Sequence, residues 1–310
     1  MKRDFLTLRD LTSGELAGLV QRAREMKHQP RGKDTSRPLM GKSVALLFEK
    51  PSTRTRVSFE VGIHQLGGQS IFLSPRDVQL SRGEPLNDTA RVLSRYLSAL
   101  VVRTYSQETL EMLAKEADIP IINALTDLAH PCQIIGDLLT VKENTDEIAG
   151  TRVTYVGDGN NVANSLIIGC AAMGLNLDLA CPAGYDPDPG FLAEGQRRAA
   201  ENGGTVRVLR DPVEAAAGSQ FLYTDVWTSM GQEEESEKRR HDLADYQLNG
   251  RLLDAAAQGA GIMHCLPAHR GEEITDEMME HPASIVFDQA ENRLHAQKAI
   301  LEWLLTTREK

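Results

Sequence analysis

Apolar positions along this chain follow two spacings that take turns. An alternating run at 42–48 that carries the β-formers Val44, Leu46 and Phe48 predicts a strand. Val57, Val61 and Leu66 then recur at helical spacing. Continuous apolar runs at 99–102 and 119–124 read as buried strands, and 134–139 opens a helix after the second. A helix over 13–27 precedes this series. The polar stretch 142–147 reads as a loop, and 150–152 leads into a second series that begins with the strand 153–156 and the helix-like 162–168. Near the end, Ala296, Ala299, Ile300, Trp303 and Leu304 lie on one stripe of a long amphipathic helix over 292–305. Strands and helices in alternation predict an α/β chain of parallel sheets, and 310 residues suggest about two domains with a hinge near 142–150.

Several polar residues stand where these strands hand over to helices. Pro51 ends the first strand, and Ser52 occupies the N-cap position of the helix that follows. The first turn of a helix carries unsatisfied N–H groups and the positive end of the macrodipole, so it attracts anions. Arginine there opposes the dipole unless an anion offsets it, which favours an oxyanion trap at Ser52, Thr53, Arg54, Thr55 and Arg56 over a merely solvated helix start. Arg103 ends the apolar run 99–102, at the strand edge where open α/β sheets bind ligands. His130-Pro131-Cys132-Gln133 opens another helix; a neutral imidazole donates to a carbonyl oxygen, and an amide accepts from an NH2 group.

The turn Gly157-Asp158-Gly159 between a strand and a helix, with Asp178 at the end of the next strand, has the layout of a dinucleotide site. Val162 replaces the third glycine, and Asp158 would repel a pyrophosphate, while Asn160 and Asn161 suit a carboxylate or amide. An NAD-dependent dehydrogenase is therefore the weaker reading.

Composition removes other classes. The hydrophobic fraction of 41% is ordinary, no apolar run approaches the roughly 20 residues that span a bilayer, and the first residues lack a signal-peptide core. The expectation is a cytoplasmic protein without a membrane partner. A formal charge of -10 argues against nucleic acid, so cations for an anionic ligand must be concentrated locally. Four separated cysteines offer neither a disulfide framework nor a Cys-x-x-Cys metal site. His264 and His269, five apart, lack helical zinc spacing and read as core or turn residues. We expect no metal and no cofactor. The charge run 233–240 reads as a solvated face or, following 229–231, as the outer part of a lid.

The motif Pro51-Ser52-Thr53-Arg54-Thr55-Arg56 resembles the carbamoyl-phosphate signature of the aspartate and ornithine carbamoyltransferases. His130-Pro131-Cys132-Gln133, Asp225 through Ser229-Met230-Gly231, His264-Cys265-Leu266-Pro267 and Glu291-Asn292-Arg293 are similar to further family blocks, in order along the whole chain. The resemblance implies two domains, each a parallel sheet flanked by helices, joined by interdomain helices. Residues 1–140 plus 292–310 would bind carbamoyl phosphate, and 150–288 would bind ornithine. It also implies a homotrimer or a multiple of trimers.

By the same resemblance, Ser52, Thr53, Arg54, Thr55, Gln79, Arg103, His130, Gln133, Cys265, Leu266 and Arg293 hold carbamoyl phosphate. Asn161, Asp225, Ser229 and Met230 hold ornithine, and Arg103, His130 and Cys265 carry catalysis. The implied reaction is attack of the δ-amine of L-ornithine on the carbamoyl carbon, giving L-citrulline and phosphate, in arginine metabolism and on balance in biosynthesis. Either Cys265 or the departing phosphate takes the amine proton. An acid at 225 favours ornithine over aspartate, and Ser229-Met230-Gly231 disfavours putrescine and, less strongly, N-acylated ornithines. A non-catalytic paralogue is the remaining alternative, against which the intact Arg54, Arg103, His130 and Gln133 stand.

Overall fold

The computed structural model describes residues 2–29, 36–74, 83–228 and 233–306. The chain divides into two compact units, the first built from Met1–Gly136 with Asn292–Lys310 and the second from Asp137–Glu291.

In chain order the first unit carries α1 (Ser13–His28), β1 (Ser43–Phe48), α2 (Thr53–Gln65), β2 (Gln69–Leu73), α3 (Leu86–Leu93), β3 (Ala99–Arg103), α4 (Gln107–Glu116), β4 (Ile121–Leu125) and the start of α5 (Pro131–Glu143). Its sheet runs β2-β1-β3-β4, all parallel. Both β1 and β3 are buried almost end to end, as parallel strands covered on two faces must be, whereas the edge strand β2 is half exposed. Leu47, Leu100, Val102 and Ile121 pack with Leu110 and Leu113 of α4 in its core. The helix α1 starts on a capping box in which Thr12 and Glu15 satisfy each other's backbone N–H.

The second unit continues α5 and adds β5 (Arg152–Val156), α6 (Asn161–Ala172), β6 (Asn176–Ala180), α7 (Pro189–Asn202), β7 (Thr205–Leu209), α8 (Pro212–Ala216), β8 (Phe221–Thr224), α9 (Ser236–Leu243), α10 (Gly250–Ala255), β9 (Gly261–His264) and α11 (Asp276–Glu280). Its parallel sheet runs β7-β6-β5-β8-β9. The helix α12 (Val286–Thr306) begins in the second unit and ends in the first. It starts six residues earlier than the apolar stripe predicts. Within the second unit, the buried Asp137 accepts from Tyr223 Oη and Gln289 Nε2, each at 2.8 Å, so both carboxylate oxygens are satisfied.

The turns beyond the carboxyl ends of the interior strands β1, β3, β5 and β8, and of the edge strands β4 and β9, carry the candidate residues. No helix among the described residues is long and apolar enough to cross a membrane.

Candidate functional site

In the first unit the site begins at the end of β1. Ser52 has an extended backbone and caps α2: its Oγ accepts from Thr55 N–H at 3.3 Å and donates to Thr55 Oγ1 at 2.9 Å. Arg293, on α12, donates from Nη2 to the same Thr55 oxygen at 2.6 Å. With Thr55 Oγ1 accepting twice, its own hydrogen is the one left to donate outward. Thr55 is 1% exposed, while Thr53 and Arg54 lie on the exposed side of the same turn. Arg56 leaves the trap that the sequence assigned to it. Its guanidinium pairs with Glu60 at 3.0 Å and stacks on Phe72, 3.7 Å from the ring centroid, because a residue in the first helical turn reaches its i+4 neighbour.

Arg103 is the last residue of β3 and is buried. It pairs in register with Phe48 of β1, and the β3–β4 register shifts by one between Val102 and Arg103. Such an irregularity re-aims the side chain at a strand end. The turn beside it is tied down by the Glu49 N–H donating to the Arg103 carbonyl at 2.8 Å, and by the Thr104 hydroxyl donating to the Glu49 carboxylate. Lys50, 2% exposed, pairs with Asp127 and lies 4.1 Å from the Tyr105 ring centroid. Sequence reasoning passed over Lys50, although a lysine directly before Pro51 in a strand-to-helix turn was a signal.

His130 and Gln133 open α5, and both are buried. Burial, then the charges of Arg293 and Arg103, hold the His130 imidazole well below its ordinary 6.5, so the ring is neutral at neutral pH. Cys132 between them is inert: burial pushes its thiol up to about 12, and its Sγ faces the Asn123 carbonyl at 3.2 Å.

The second unit holds an acidic cluster. Asp225 follows β8, is 5% exposed, and accepts from Asn160 Nδ2 at 2.8 Å and from the Cys265 thiol at 2.7 Å. Asn161 is the first residue of α6, next to the Asn160 cap, and is buried. After Cys265, Leu266 takes a left-handed backbone with φ 56°, a conformation that costs a residue with a Cβ about 1–2 kcal/mol. Its N–H donates to His264 Nδ1 at 2.8 Å, and His264 Nε2 meets Glu273 Oε1 at 3.0 Å. Nδ1 therefore accepts and Nε2 carries the proton. The ligand atoms of Asp225, His264 and Cys265 lie within 4.8 Å of one another, but both ring nitrogens of His264 already serve the backbone and Glu273.

The glycine turn after β5 explains itself without a dinucleotide. A Cβ at Gly159 would lie 2.3 Å from Pro187 N, and its N–H donates to the Tyr185 carbonyl at 2.8 Å, so the chain itself occupies the close approach. Asp178 sits inside β6 rather than at its end. It is 1% exposed and gripped by Arg207 through Nε at 2.7 Å and Nη2 at 2.8 Å. That bidentate pair across two parallel strands is structural.

The charge run also differs from the expectation. Arg239 is buried on α9, donating from Nη1 to Asp158 Oδ2 at 2.8 Å and to the Trp227 carbonyl at 3.1 Å. Burial lifts the Asp158 carboxyl to about 6 despite the arginine beside it. One member of an apparently solvated run is thus an anchor, since the turn after β5 supplies a partner that the run itself does not contain.

The structure brings Ser52, Thr55 and Arg293 into contact, with Arg293 and Arg103 close enough for their charges to keep His130 neutral. It joins Asp225 to Cys265 separately, in the second unit. Gln79, Ser229 and Met230 lie outside the described residues.

Comparisons with known proteins match the two units in turn. Residues 3–143 match the family model for the aspartate/ornithine carbamoyltransferase carbamoyl-P binding domain, and 149–304 match that for the Asp/Orn binding domain. An ornithine carbamoyltransferase of Gloeobacter violaceus is 54% identical over 302 residues, covering 97% of this chain and 95% of that one. One of Thermococcus kodakarensis is 50% identical, covering 96% and 95%. The solved ornithine carbamoyltransferase from Pyrococcus furiosus superposes with a TM-score of 0.93 at 48% identity, covering 96% of each chain. An anabolic ornithine carbamoyltransferase from Campylobacter jejuni gives 0.93 at 39% identity, covering 99% of this chain and 100% of that one.

Proposed function

The chain belongs to the aspartate/ornithine carbamoyltransferase family, and on that premise we propose that it transfers the carbamoyl group of carbamoyl phosphate to the δ-amine of L-ornithine, giving L-citrulline and phosphate. The observation that carries the choice of ornithine is the buried Asp225 carboxylate, held by Asn160 and Cys265. A buried anion suits an α-ammonium group, whereas the second carboxylate of aspartate calls for cations.

Ser52, Thr53, Arg54 and Thr55 grip the phosphate, with Gln79 as a further contact, and Arg103 spans phosphate and carbonyl. Attack by the neutral amine creates a tetrahedral centre whose former carbonyl oxygen becomes negative. Thr55, Arg103, His130 and Arg293 are its donors, and the neutral His130 ring still carries one N–H with which to donate. Gln133 and the carbonyls of Cys265 and Leu266 orient the NH2 group. Asn161, Ser229 and Met230 complete the amino-acid end.

The δ-ammonium, with a pKa near about 10, must lose a proton before it attacks. The Cys265 thiol donates to Asp225 at 2.7 Å, and a thiolate there would face a carboxylate. That geometry supports Cys265 as an orienting group and the departing phosphate as proton acceptor. The reaction serves arginine biosynthesis in the cytoplasm. The assembly is a homotrimer or a multiple of it, as the family resemblance implies, and the exposed Val57 and Val61 on α2 and Ile71 on the edge strand β2 are apolar surface that a subunit contact would cover.

Ureido product formation tests the reading, with ornithine, N-acetylornithine, putrescine and aspartate compared in parallel. Turnover with ornithine alone is expected; silence with all four would return the chain to the non-catalytic alternative.

A further inference from the structure

Asn160 stands at the junction of two jobs. Its Oδ1 accepts from Val162 N–H at 2.9 Å and Ala163 N–H at 3.2 Å, capping α6, and lies 3.4 Å from the Tyr155 hydroxyl. An oxygen so committed fixes which way the amide faces, because a flip would set NH2 against two N–H donors. The other end of the amide must then point where it does, donating to Asp225 Oδ2 at 2.8 Å.

We propose that Asn160 is a positioning residue that orients the Asp225 carboxylate and thereby sets affinity for the α-ammonium of the amino-acid acceptor. The proposal rests on the reading of Asp225 given above. Oδ2 of Asp225 is held by Asn160 from the turn after β5, and Oδ1 by Cys265 from the turn after β9. Each carboxylate oxygen has about two acceptor sites, so one on each is left for a ligand ammonium.

The backbone under Asn160 is equally constrained. Its N–H donates to the Asp158 carbonyl at 2.8 Å, which also receives the Tyr155 hydroxyl at 2.9 Å. Gly159 on the other side is locked against Tyr185 and Pro187. Serine and aspartate would cap α6 about as well as asparagine does. Only an amide caps the helix and donates across to Asp225 independently of pH.

That distinction supplies the test, with Asn160→Ser and Asn160→Asp both keeping a cap. Serine cannot reach Asp225, and aspartate sets a second carboxylate against it. In Asn160→Ser the KM for ornithine should rise roughly tenfold, as expected for losing one hydrogen bond to a charged group, with the KM for carbamoyl phosphate unchanged.

Asn160→Asp should be worse at high pH and should recover toward Asn160→Ser as pH falls, because two adjacent carboxylates share a proton and the protonated one donates as the amide did. The groups facing this point are Tyr155 on β5, Asp158 with its Arg239 partner from α9, Cys181 after β6, Asp225 after β8 and Cys265 after β9. Melting temperatures and 13C-carboxyl NMR of aspartate-labelled protein accompany the kinetics. A carboxyl besides Asp158 that titrates well above the ordinary aspartate range in Asn160→Asp, is absent from the unaltered protein, and disappears in Asn160→Asp with Asp225→Asn, supports the contact.

Ornithine KM unchanged in both variants would overturn the proposal, as would equal rises in both KM values together with a lower melting temperature. If Asp225→Asn alone leaves ornithine KM unchanged, the reading of Asp225 fails, and the NMR titration still decides whether Asn160 and Asp225 are coupled.

Discussion

The two polar clusters solve opposite electrostatic problems with the same architecture. In the first unit, cations gather where β1 and β3 end and α2 and α5 begin, and a histidine among them is held neutral by burial and by Arg293 and Arg103. In the second unit, an acid gathers where β8 and β9 end, and its neighbours Asn160 and Cys265 are neutral donors. Burial with those acids around it pushes the Tyr155 phenol far above its ordinary value, so that hydroxyl stays a donor too. The lesson is that a parallel α/β unit offers strand ends and helix starts, and the sign of the residues placed there selects the ligand's charge. The cationic cluster offers charged donors, which suit an anionic ligand. The acidic cluster surrounds its carboxylate with the amide of Asn160 and the thiol of Cys265 rather than with cations.

Removing one group from each cluster should break this contrast in different kinetic parameters. The largest effect is expected from Arg103→Ala, which should lower kcat by about 10²–10³ and also raise the KM for carbamoyl phosphate, the size found for lost oxyanion donors. An unchanged kcat in steady-state assays would reduce Arg103 to an anchor. Asp225→Asn should raise the KM for ornithine by roughly 10–100-fold, as loss of a charge-assisted contact does, with little change for carbamoyl phosphate. Equal effects on both substrates would remove its role as counter-charge.

Thr55→Val keeps the shape but leaves Ser52 Oγ and Arg293 Nη2 without their shared acceptor. A rise of about tenfold in carbamoyl-phosphate KM is expected, and no change would mean that the hydroxyl serves only the fold.

The smallest effect concerns stability against pH. The folded His130 imidazole titrates below its unfolded value, so on acidification the unfolded chain takes up the proton first. Its stabilising contribution is therefore complete above about pH 6.5 and is lost as pH falls from there toward the folded value. Urea unfolding between about pH 8 and 5 should show His130→Gln with a flatter slope than the unaltered protein below about pH 6.5. Parallel slopes would show that His130 is not held neutral.

Local patterns carried much of this into the sequence. The two strand–helix series, the Ser52 cap and Arg103 at a strand end all rest on neighbours within a few residues, where periodicity and capping act, whereas the acid at 225 is read only through the family resemblance. Asp178 shows the limit. Its spacing from the glycine turn fits the layout of a dinucleotide site, and only the register of β6 against β7 reveals that Arg207 already holds it. The run 233–240 was read by its average polarity, which cannot show that Arg239 meets Asp158.

By itself the sequence determined the α/β alternation, the placement of polar residues at element junctions and, through its ordered motifs, the family, because each is written in short-range spacing or residue identity. Tertiary structure alone decided that Arg293 shares the Thr55 oxygen with Ser52, that Lys50 is buried against Asp127 and Tyr105, and that Asn160 reaches Asp225. These contacts join residues far apart in the chain. Which side chains meet there depends on strand order, register and the angle at which each helix leaves its strand, and no local pattern encodes those quantities.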